Sequence, residues 1–271
     1  MLQRHPQSGP LMPKDAIYAR RNGAIATIYL NRPAKKNSLT VDMWRRLIGA
    51  IEDADRDTAV KVIVITGEGD TFSAGADIEE VEQAFANPKF GDTFADVTHD
   101  AQARLARNVK PTIAKVRGAC MGGGCGIALC CDLRFADTGA RFAITPAKLG
   151  IAYSLADTKR LMDMVGPARA KDILYTARIL DASEAHALGM IDRLVPAPDL
   201  DAVVDAYAGQ IASMSQYSTR ATKRVAQMIL DGATDDDRDS RRLFIDALSG
   251  ADFKEGVSAF LQKRKPNFPV A

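Results

Sequence analysis

The segment Lys110-Pro-Thr-Ile-Ala-Lys-Val-Arg-Gly-Ala-Cys-Met-Gly-Gly-Gly-Cys-Gly126 decides the predicted fold. It begins with a short apolar run, residues 111–116, of the kind found in strands buried on both faces. A glycine-rich loop follows and leads into an apolar helix at residues 127–131. The same order occurs upstream, where a strand at 61–66 precedes a loop and a helix. This repetition predicts an α/β fold with parallel strand pairing.

The regions on either side extend the prediction. Asn22-Gly23 lies between two apolar runs and predicts an opening β-hairpin, and Thr40 is placed to cap a helix with apolar residues at helical spacing. From about residue 155 the pattern is mainly helical. We therefore predict a disordered tail at 1–13, an α/β core at 14–205 and a helical C-terminal region at 206–271.

Composition excludes several classes of function. The 271 residues carry a net charge of +2 with scattered basic residues, which argues against nucleic-acid binding. No apolar run approaches the ~18–20 residues needed to cross a bilayer, and residues 1–13 contain no signal-peptide core. The composition predicts a soluble, cytoplasmic protein without a membrane partner.

A metal site is not predicted either. Zinc sites pair closely spaced cysteines with a second pair or with histidines, whereas the nearest histidines, His99 and His186, lie far along the chain. The four cysteines are instead predicted to be buried free thiols; they are Cys120, Cys125, Cys130 and Cys131.

The two glycine-rich loops are the strongest functional signal. Each follows a buried strand and precedes a helix, so its backbone N–H groups can bind an anion or a polarised oxygen. Two such donors on one oxygen suit an enolate or a tetrahedral oxyanion of a thioester or ester. Tight turns alone would also explain the glycines. The segment around Ser73 is similar to a G-x-S-x-G nucleophile elbow, but Thr71 stands in place of the first glycine. Ser73 is therefore interpreted as a structural residue.

Several motifs in register resemble the enoyl-CoA hydratase/isomerase family, the crotonase superfamily, from about residue 16 to the C-terminus. They are Asn31-Arg-Pro33, Phe72-Ser-Ala-Gly-Ala-Asp77, Lys110 to Gly118, Gly122-Gly-Gly-Cys125, Cys131-Asp132, Phe142 to Gly150, and Phe260 to Phe268. The resemblance implies a crotonase-like ββα superhelix with a C-terminal helical trimerisation region. It also implies an acyl-CoA thioester as ligand and a homo-oligomer, either a trimer or a dimer of trimers.

The resemblance also implies roles for individual residues. The family's oxyanion hole, two backbone N–H groups on the thioester carbonyl, falls on Ala76 and Gly123. No separate cofactor is expected, because coenzyme A arrives as part of the substrate. The predicted contacts of coenzyme A are Lys35, Lys36, Ala74, Asp77, Lys263 and Arg264.

Two positions depart from the family pattern. Typical hydratases carry a glutamate two residues after the glycine triplet and a second about twenty residues further on. Here these positions are Gly126 and Pro146. Neither residue can transfer a proton, so hydration and single-glutamate isomerisation are both disfavoured.

Decarboxylation does not need a carboxylate base, because loss of CO2 itself generates the enolate. The stretch from Phe142 to Leu155 is similar to that of the family's methylmalonyl-CoA decarboxylases, whose active-site tyrosine falls on Tyr153. A phenol there could orient the leaving carboxylate or donate to the enolate. Decarboxylation of a short 2-carboxyacyl-CoA is the main prediction, although those enzymes commonly have histidine at position 76 and an acidic residue at 126.

Two alternatives stay open. The first is an enoyl-CoA hydratase or isomerase with a non-standard base, for which His99 is the candidate because its helix walls the acyl pocket in this family. The second is a non-catalytic acyl-CoA binding protein that keeps the oxyanion loops.

Overall fold

The computed structural model describes residues 15–268. The predicted tail at residues 1–13 lies outside the described residues. Over the described part, strands and helices alternate as an α/β fold, as predicted, and a run of helices follows.

Within residues 15–268, nine strands form two sheets. The larger sheet has the order β1-β2-β3-β4-β6-β9 and the smaller one has the order β5-β7-β8. The strands are β1 (Ile17–Asn22), β2 (Ile25–Leu30), β3 (Val62–Gly67), β4 (Thr112–Val116), β5 (Ala119–Met121), β6 (Leu133–Asp137), β7 (Arg141–Ala143), β8 (Leu180–Asp181) and β9 (Arg193–Val195).

The helices lie between and after these strands. They are α1 (Val41–Arg56), α2 (Ile78–Ala86), α3 (Pro88–Ala106), α4 (Gly123–Cys130), α5 (Pro146–Leu149), α6 (Leu155–Val165), α7 (Pro167–Thr176), α8 (Ala182–Ala187), α9 (Leu200–Ala212), α10 (Gln216–Leu230), α11 (Arg238–Ser249) and α12 (Ala251–Leu261).

The predicted hairpin and the predicted parallel pairing are both present. β1 and β2 are antiparallel, with Asn22 opposite Ile25, and Gly23 supplies the positive φ of +55° that the tight turn requires. β2, β3, β4, β6 and β9 pair in parallel. The Thr40 side chain accepts a hydrogen bond from the N–H of Met43 and begins α1.

The core has two parts on the two faces of the large sheet. The larger cluster packs α1, α3, α4 and α6 on one face. On the other face, Leu200, Val204 and Ala208 of α9 cover Val62 and Val64 of β3. The four cysteines are buried free thiols, as predicted.

The structure corrects two predicted boundaries. The boundary predicted between residues 205 and 206 falls inside α9, whose apolar side packs on the sheet. The helices that follow the α/β core therefore begin with α10. The second glycine-rich loop, predicted to run up to the helix at residue 127, is shorter than expected. Ala119–Met121 is a strand, and α4 already begins at Gly123. Glycine-rich sequence concealed the first turn of this helix.

The C-terminal helices keep apolar residues exposed. Phe244 and Phe260 are 68% and 83% exposed, and an apolar groove of about 660 Å³ lies between α10 and α12. Within residues 15–268, no helix combines the length and the apolarity needed to cross a membrane.

Candidate active site

The two glycine-rich segments meet at one place. Ser73 and Cys120 form a parallel β-bridge, in which the Met121 N–H donates to the Ser73 carbonyl at 2.9 Å. This bridge brings the start of α4 beside the loop that precedes α2. A Cβ added at Gly123 would lie 3.9 Å from the backbone nitrogen of Ala76. The structure therefore brings together the two residues predicted to form the oxyanion hole.

The N–H groups of Ala76 and Gly123 have no acceptor among the described residues, whereas three N–H groups close to them in the chain do. The N–H of Gly75 donates to the Ser73 hydroxyl at 3.1 Å, and that of Asp77 donates to the Leu39 carbonyl at 2.9 Å. The N–H of Gly122 donates to the Ala143 carbonyl at 2.8 Å. Ala76 and Gly123 are thus available to bind one oxygen, and Gly123 adds the positive end of a helix dipole.

Glycine is required where the two segments touch. Gly75 has φ +94°, and a Cβ there would lie 2.8 Å from the Met121 carbonyl oxygen. A Cβ at Gly124 would lie 2.8 Å from the Cβ of Ser73. These contacts leave no room for side chains, so the glycines set the separation of the two donors.

Asn37 holds the loops that carry these donors. Its side chain accepts from the N–H of Arg32 and donates to the carbonyls of Glu68 and Thr71, at 3.0 and 2.6 Å. Its own carbonyl accepts from the Ser73 hydroxyl at 2.8 Å. Asn37 is fully buried and adopts φ +53°, a conformation that asparagine tolerates better than most residues.

Asp77, a predicted coenzyme A contact, has a carboxylate that accepts hydrogen bonds from groups of the protein itself. Its carboxylate caps α2 through the N–H of Glu79 and accepts from Arg32 at 2.9 Å and from Ser38 at 3.2 Å. Burial alone would raise the pKa of Asp77, but these hydrogen bonds and the Arg32 charge hold it below its usual value. With these donors engaged, Asp77 ties α2 to the chain before α1.

An indole ring lies against the start of α4. The Cζ2 atom of Trp44, on α1, would be 3.2 Å from a Cβ at Gly123. Trp44 is 1% exposed, and its buried indole N–H has no hydrogen-bond partner in the part of the chain that the structure describes. Trp44 was not predicted from the sequence as a site residue, because a tryptophan in an apolar helical stripe is typical of a core residue.

Position 126 is occupied from another helix. A Cβ at Gly126 would overlap the amide end of Gln102, which reaches over from α3. Gln102 is 5% exposed and pairs with Asp157 of α6. Neither residue was predicted from the sequence. The absence of a side chain at 126 was the available signal that another residue would fill this space.

Pro146 begins α5 after Thr145, where its ring suits the first helical turn. Neither Gly126 nor Pro146 carries a carboxylate.

Tyr153 lies in the segment before α6 and packs against the main core. Its hydroxyl is buried and has no hydrogen-bond partner among residues 15–268. Burial, reinforced by the nearby Asp157 carboxylate, raises the pKa of Tyr153. The side chain is therefore a neutral phenol at neutral pH and can donate a proton in a hydrogen bond.

His99 is exposed on α3, in contrast to Gln102 one turn further on. No hydrogen bond or ion pair within residues 15–268 joins His99 to Ala76, Gly123 or Tyr153. Its role as a base stays a prediction.

The predicted coenzyme A contacts fall into two groups. Lys35, Lys36 and Ala74 lie together, since the Ala74 N–H donates to the Lys36 carbonyl at 2.8 Å and Lys35 is exposed beside α2. Lys263 and Arg264 follow α12, where Arg264 pairs with Glu255 and lowers the pKa of that carboxyl to about 2. No hydrogen bond or ion pair in the described part of the chain connects the two groups.

Comparison with protein families gives a match over nearly the whole chain. The model of the enoyl-CoA hydratase/isomerase family matches residues 20–270. A crotonyl-CoA hydratase from Syntrophomonas wolfei is 36% identical and covers 95% of this chain and 99% of its own length. A probable enoyl-CoA hydratase from Mycobacterium tuberculosis is 34% identical, with the same coverage.

Solved structures agree. An enoyl-CoA hydratase/isomerase family protein from Hyphomonas neptunium superposes with a TM-score of 0.92 at 41% identity, over 94% of this chain and 98% of its own. An enoyl-CoA hydratase/carnithine racemase from Magnetospirillum magneticum gives 0.90 at 34% identity, over 95% and 96%. The crotonase-like fold is shared along the length of these chains.

Proposed function

The chain belongs to the enoyl-CoA hydratase/isomerase family, and on this premise we propose that it binds an acyl-CoA and polarises the thioester carbonyl through the N–H groups of Ala76 and Gly123. The observation that carries the proposal is that both N–H groups lack an acceptor within residues 15–268, while those of Gly75, Asp77 and Gly122 are bonded. Donors placed in advance stabilise the oxyanion of an enolate without reorganisation.

Reversible addition of water to an enoyl-CoA is the reaction that the comparisons favour. The relatives described above carry the names of enoyl-CoA or crotonyl-CoA hydratases, and none of these names mentions decarboxylation. In this reaction hydroxide adds to the β-carbon and a proton is delivered to the α-carbon. The site must then hold and activate the water without glutamates at 126 and 146, through a non-standard base such as His99.

Decarboxylation of a short 2-carboxyacyl-CoA is the second candidate, and the buried, unpartnered hydroxyl of Tyr153 favours it. The bond between the α-carbon and the carboxylate would break, CO2 would leave, and the electron pair would form the enolate held by Ala76 and Gly123. A proton then adds to the α-carbon. This reaction is compatible with Gly126 and Pro146 because no C–H proton is removed.

The reaction can be assigned with a panel of acyl-CoA thioesters followed by mass spectrometry. We expect crotonyl-CoA to gain 18 Da if water is added and methylmalonyl-CoA to lose 44 Da if CO2 is released, the masses of the two molecules. A mass change in one substrate alone selects between the reactions. Binding of both substrates without a mass change would support a non-catalytic acyl-CoA binding protein.

Tyr153→Phe separates catalysis from stability. Removing an unpartnered buried hydroxyl relieves a desolvation cost, so we expect the melting temperature to stay the same or rise. If the phenol contacts the substrate, turnover of methylmalonyl-CoA falls, by about 10- to 100-fold for a lost hydrogen bond to developing charge. Unchanged turnover of that substrate would remove Tyr153 from the mechanism.

The proposal includes a homo-oligomer, a trimer or a dimer of trimers, in the cytoplasm. The exposed apolar residues of α11 and α12 support self-association, because contiguous apolar surface of this kind marks interaction sites. Lys263 and Arg264 follow α12, and in an oligomer they would lie near a subunit interface. They could there complete the coenzyme A contacts begun by Lys35, Lys36 and Ala74.

A further inference from the structure

Gly126 leaves a space beside the oxyanion donors that Gln102 fills. Gly126 lies three residues after Gly123, so both are on one face of α4, about 4.5 Å apart along the helix axis. The amide of Gln102 ends where a Cβ at 126 would be. A neutral amide from α3 thus stands one helical turn from an oxyanion donor.

The orientation of this amide is set by Asp157. With its nitrogen towards Asp157, the Gln102 amide donates to both carboxylate oxygens at 3.1 Å. The opposite orientation would place the amide oxygen against the carboxylate, where two acceptors repel each other. The carbonyl oxygen of Gln102 therefore points towards Gly126. It has two lone pairs and can accept a hydrogen bond from a ligand.

Asp157 is itself held in place. Its carboxylate accepts from the Ser154 hydroxyl at 2.7 Å and pairs with Arg160 at 3.0 Å. Burial and the nearby Asp157 charge raise the pKa of the Tyr153 phenol and of the Cys130 thiol, so both face the carboxylate as neutral groups. Asp157 is 6% exposed, and a carboxylate buried to this degree is stable when its oxygens are fully hydrogen-bonded. The orientation of Gln102 is thus built into the packing of α3 against α6.

We propose that Gln102 presents its carbonyl oxygen to the bound acyl group and that Asp157 is the positioning residue that keeps the amide in this orientation. The group that the ligand places beside Gly126 is then a hydrogen-bond donor, either a substrate hydroxyl or a water molecule. This inference rests on the proposed acyl-CoA function. It favours hydration over decarboxylation, because a substrate carboxylate would be repelled by the Gln102 carbonyl oxygen and by the Asp157 carboxylate next to it.

Three four-carbon ligands test the inference by isothermal titration calorimetry. 3-Hydroxybutyryl-CoA offers a donor, acetoacetyl-CoA offers only an acceptor at the same carbon, and butyryl-CoA offers neither. Mass spectrometry after each titration checks that the ligand is unchanged. We expect the wild-type protein to bind 3-hydroxybutyryl-CoA about 2- to 10-fold more tightly than acetoacetyl-CoA, the value of one neutral hydrogen bond.

Gln102→Met keeps the volume of the side chain and removes the acceptor. We expect it to abolish the preference for 3-hydroxybutyryl-CoA and to leave the affinity for butyryl-CoA within twofold. Asp157→Asn can donate to Gln102 and lets the amide turn, so we expect the preference to shift towards acetoacetyl-CoA. Asp163→Asn removes the same charge from an exposed position on α6, paired with Lys159, and should change none of the three affinities.

The outcomes distinguish this inference from the proposed function. Failure of the wild-type protein to bind any of the three ligands overturns the acyl-CoA proposal and the inference with it. If the wild-type protein binds but Gln102→Met weakens all three ligands equally, or none, only the inference is overturned. The role of Asp157 is rejected if Asp157→Asn keeps the wild-type ratio. Should Asp157→Asn fail to fold, Gln102→Met decides the matter.

Discussion

Gly123→Pro is expected to lower turnover of any acyl-CoA substrate by ~10²–10³, the usual effect of deleting one oxyanion donor. Proline removes the N–H at 123, which has no acceptor within the described residues 15–268. Gly123 is also the first residue of α4, where proline is well tolerated. The loss should appear in kcat, because the donor acts most strongly on the charge that develops in the transition state.

Gly123→Ala is the matched control. It adds a Cβ 3.2 Å from Trp44 and 3.4 Å from Leu39, as proline would, but it keeps the N–H group. We expect its turnover to exceed that of Gly123→Pro by at least about tenfold, with similar melting temperatures for the two variants. Equal losses of activity would show that crowding against Trp44, and not the missing N–H, is responsible.

Gly67→Ala should cause the largest loss of stability. Gly67 ends β3, and a Cβ there would overlap the carbonyl oxygens of Thr71 and Phe72 and approach the amide of Asn37. Two of these three atoms are backbone and cannot rotate away. We expect the free energy of unfolding to fall by about 3 kcal/mol, which lowers the melting temperature by roughly 6–12 °C in a chain of this size.

Gly49→Ala is expected to raise the free energy of unfolding, whereas Gly67→Ala lowers it. Gly49 lies in the middle of α1, where an added Cβ meets nothing within 4 Å. Alanine should stabilise the helix by ~0.5–1 kcal/mol. Thermal denaturation of both variants tests the pair, and a loss of stability at Gly49 or none at Gly67 would contradict this account of the β3 loop.

The two glycine-rich loops could be predicted from the sequence, and the family resemblance placed the expected oxyanion hole on Ala76 and Gly123 within them. Ala76 and Gly123 lie in segments whose glycines encode the local conformation, and the strands before them have a clear apolar pattern. The hairpin at Asn22-Gly23 and the Thr40 cap are local in the same sense. A short stretch of residues determines each of these features, so the local sequence is sufficient to predict it.

The parts built from packing could not be predicted. Gln102 and Asp157 belong to different helices, and their pairing depends on how α3 and α6 lie against α4. In the sequence each resembles an ordinary polar residue of an amphipathic helix. The start of α4 was also missed, because three glycines favour a loop when read locally, whereas tertiary contacts with Ser73 and Trp44 stabilise helix there.

The donors of Ala76 and Gly123 belong to the main chain, and this has a consequence for how the protein can change over time. Genetic substitution replaces side chains, and every residue except proline keeps its N–H. The proposed polarising element therefore keeps its donors through most substitutions that spare the glycines where the two segments touch, while Gln102, Asp157 and Tyr153 are open to change. If the proposed function holds, new substrates can be explored by altering these side chains without first losing the N–H groups that would stabilise an oxyanion.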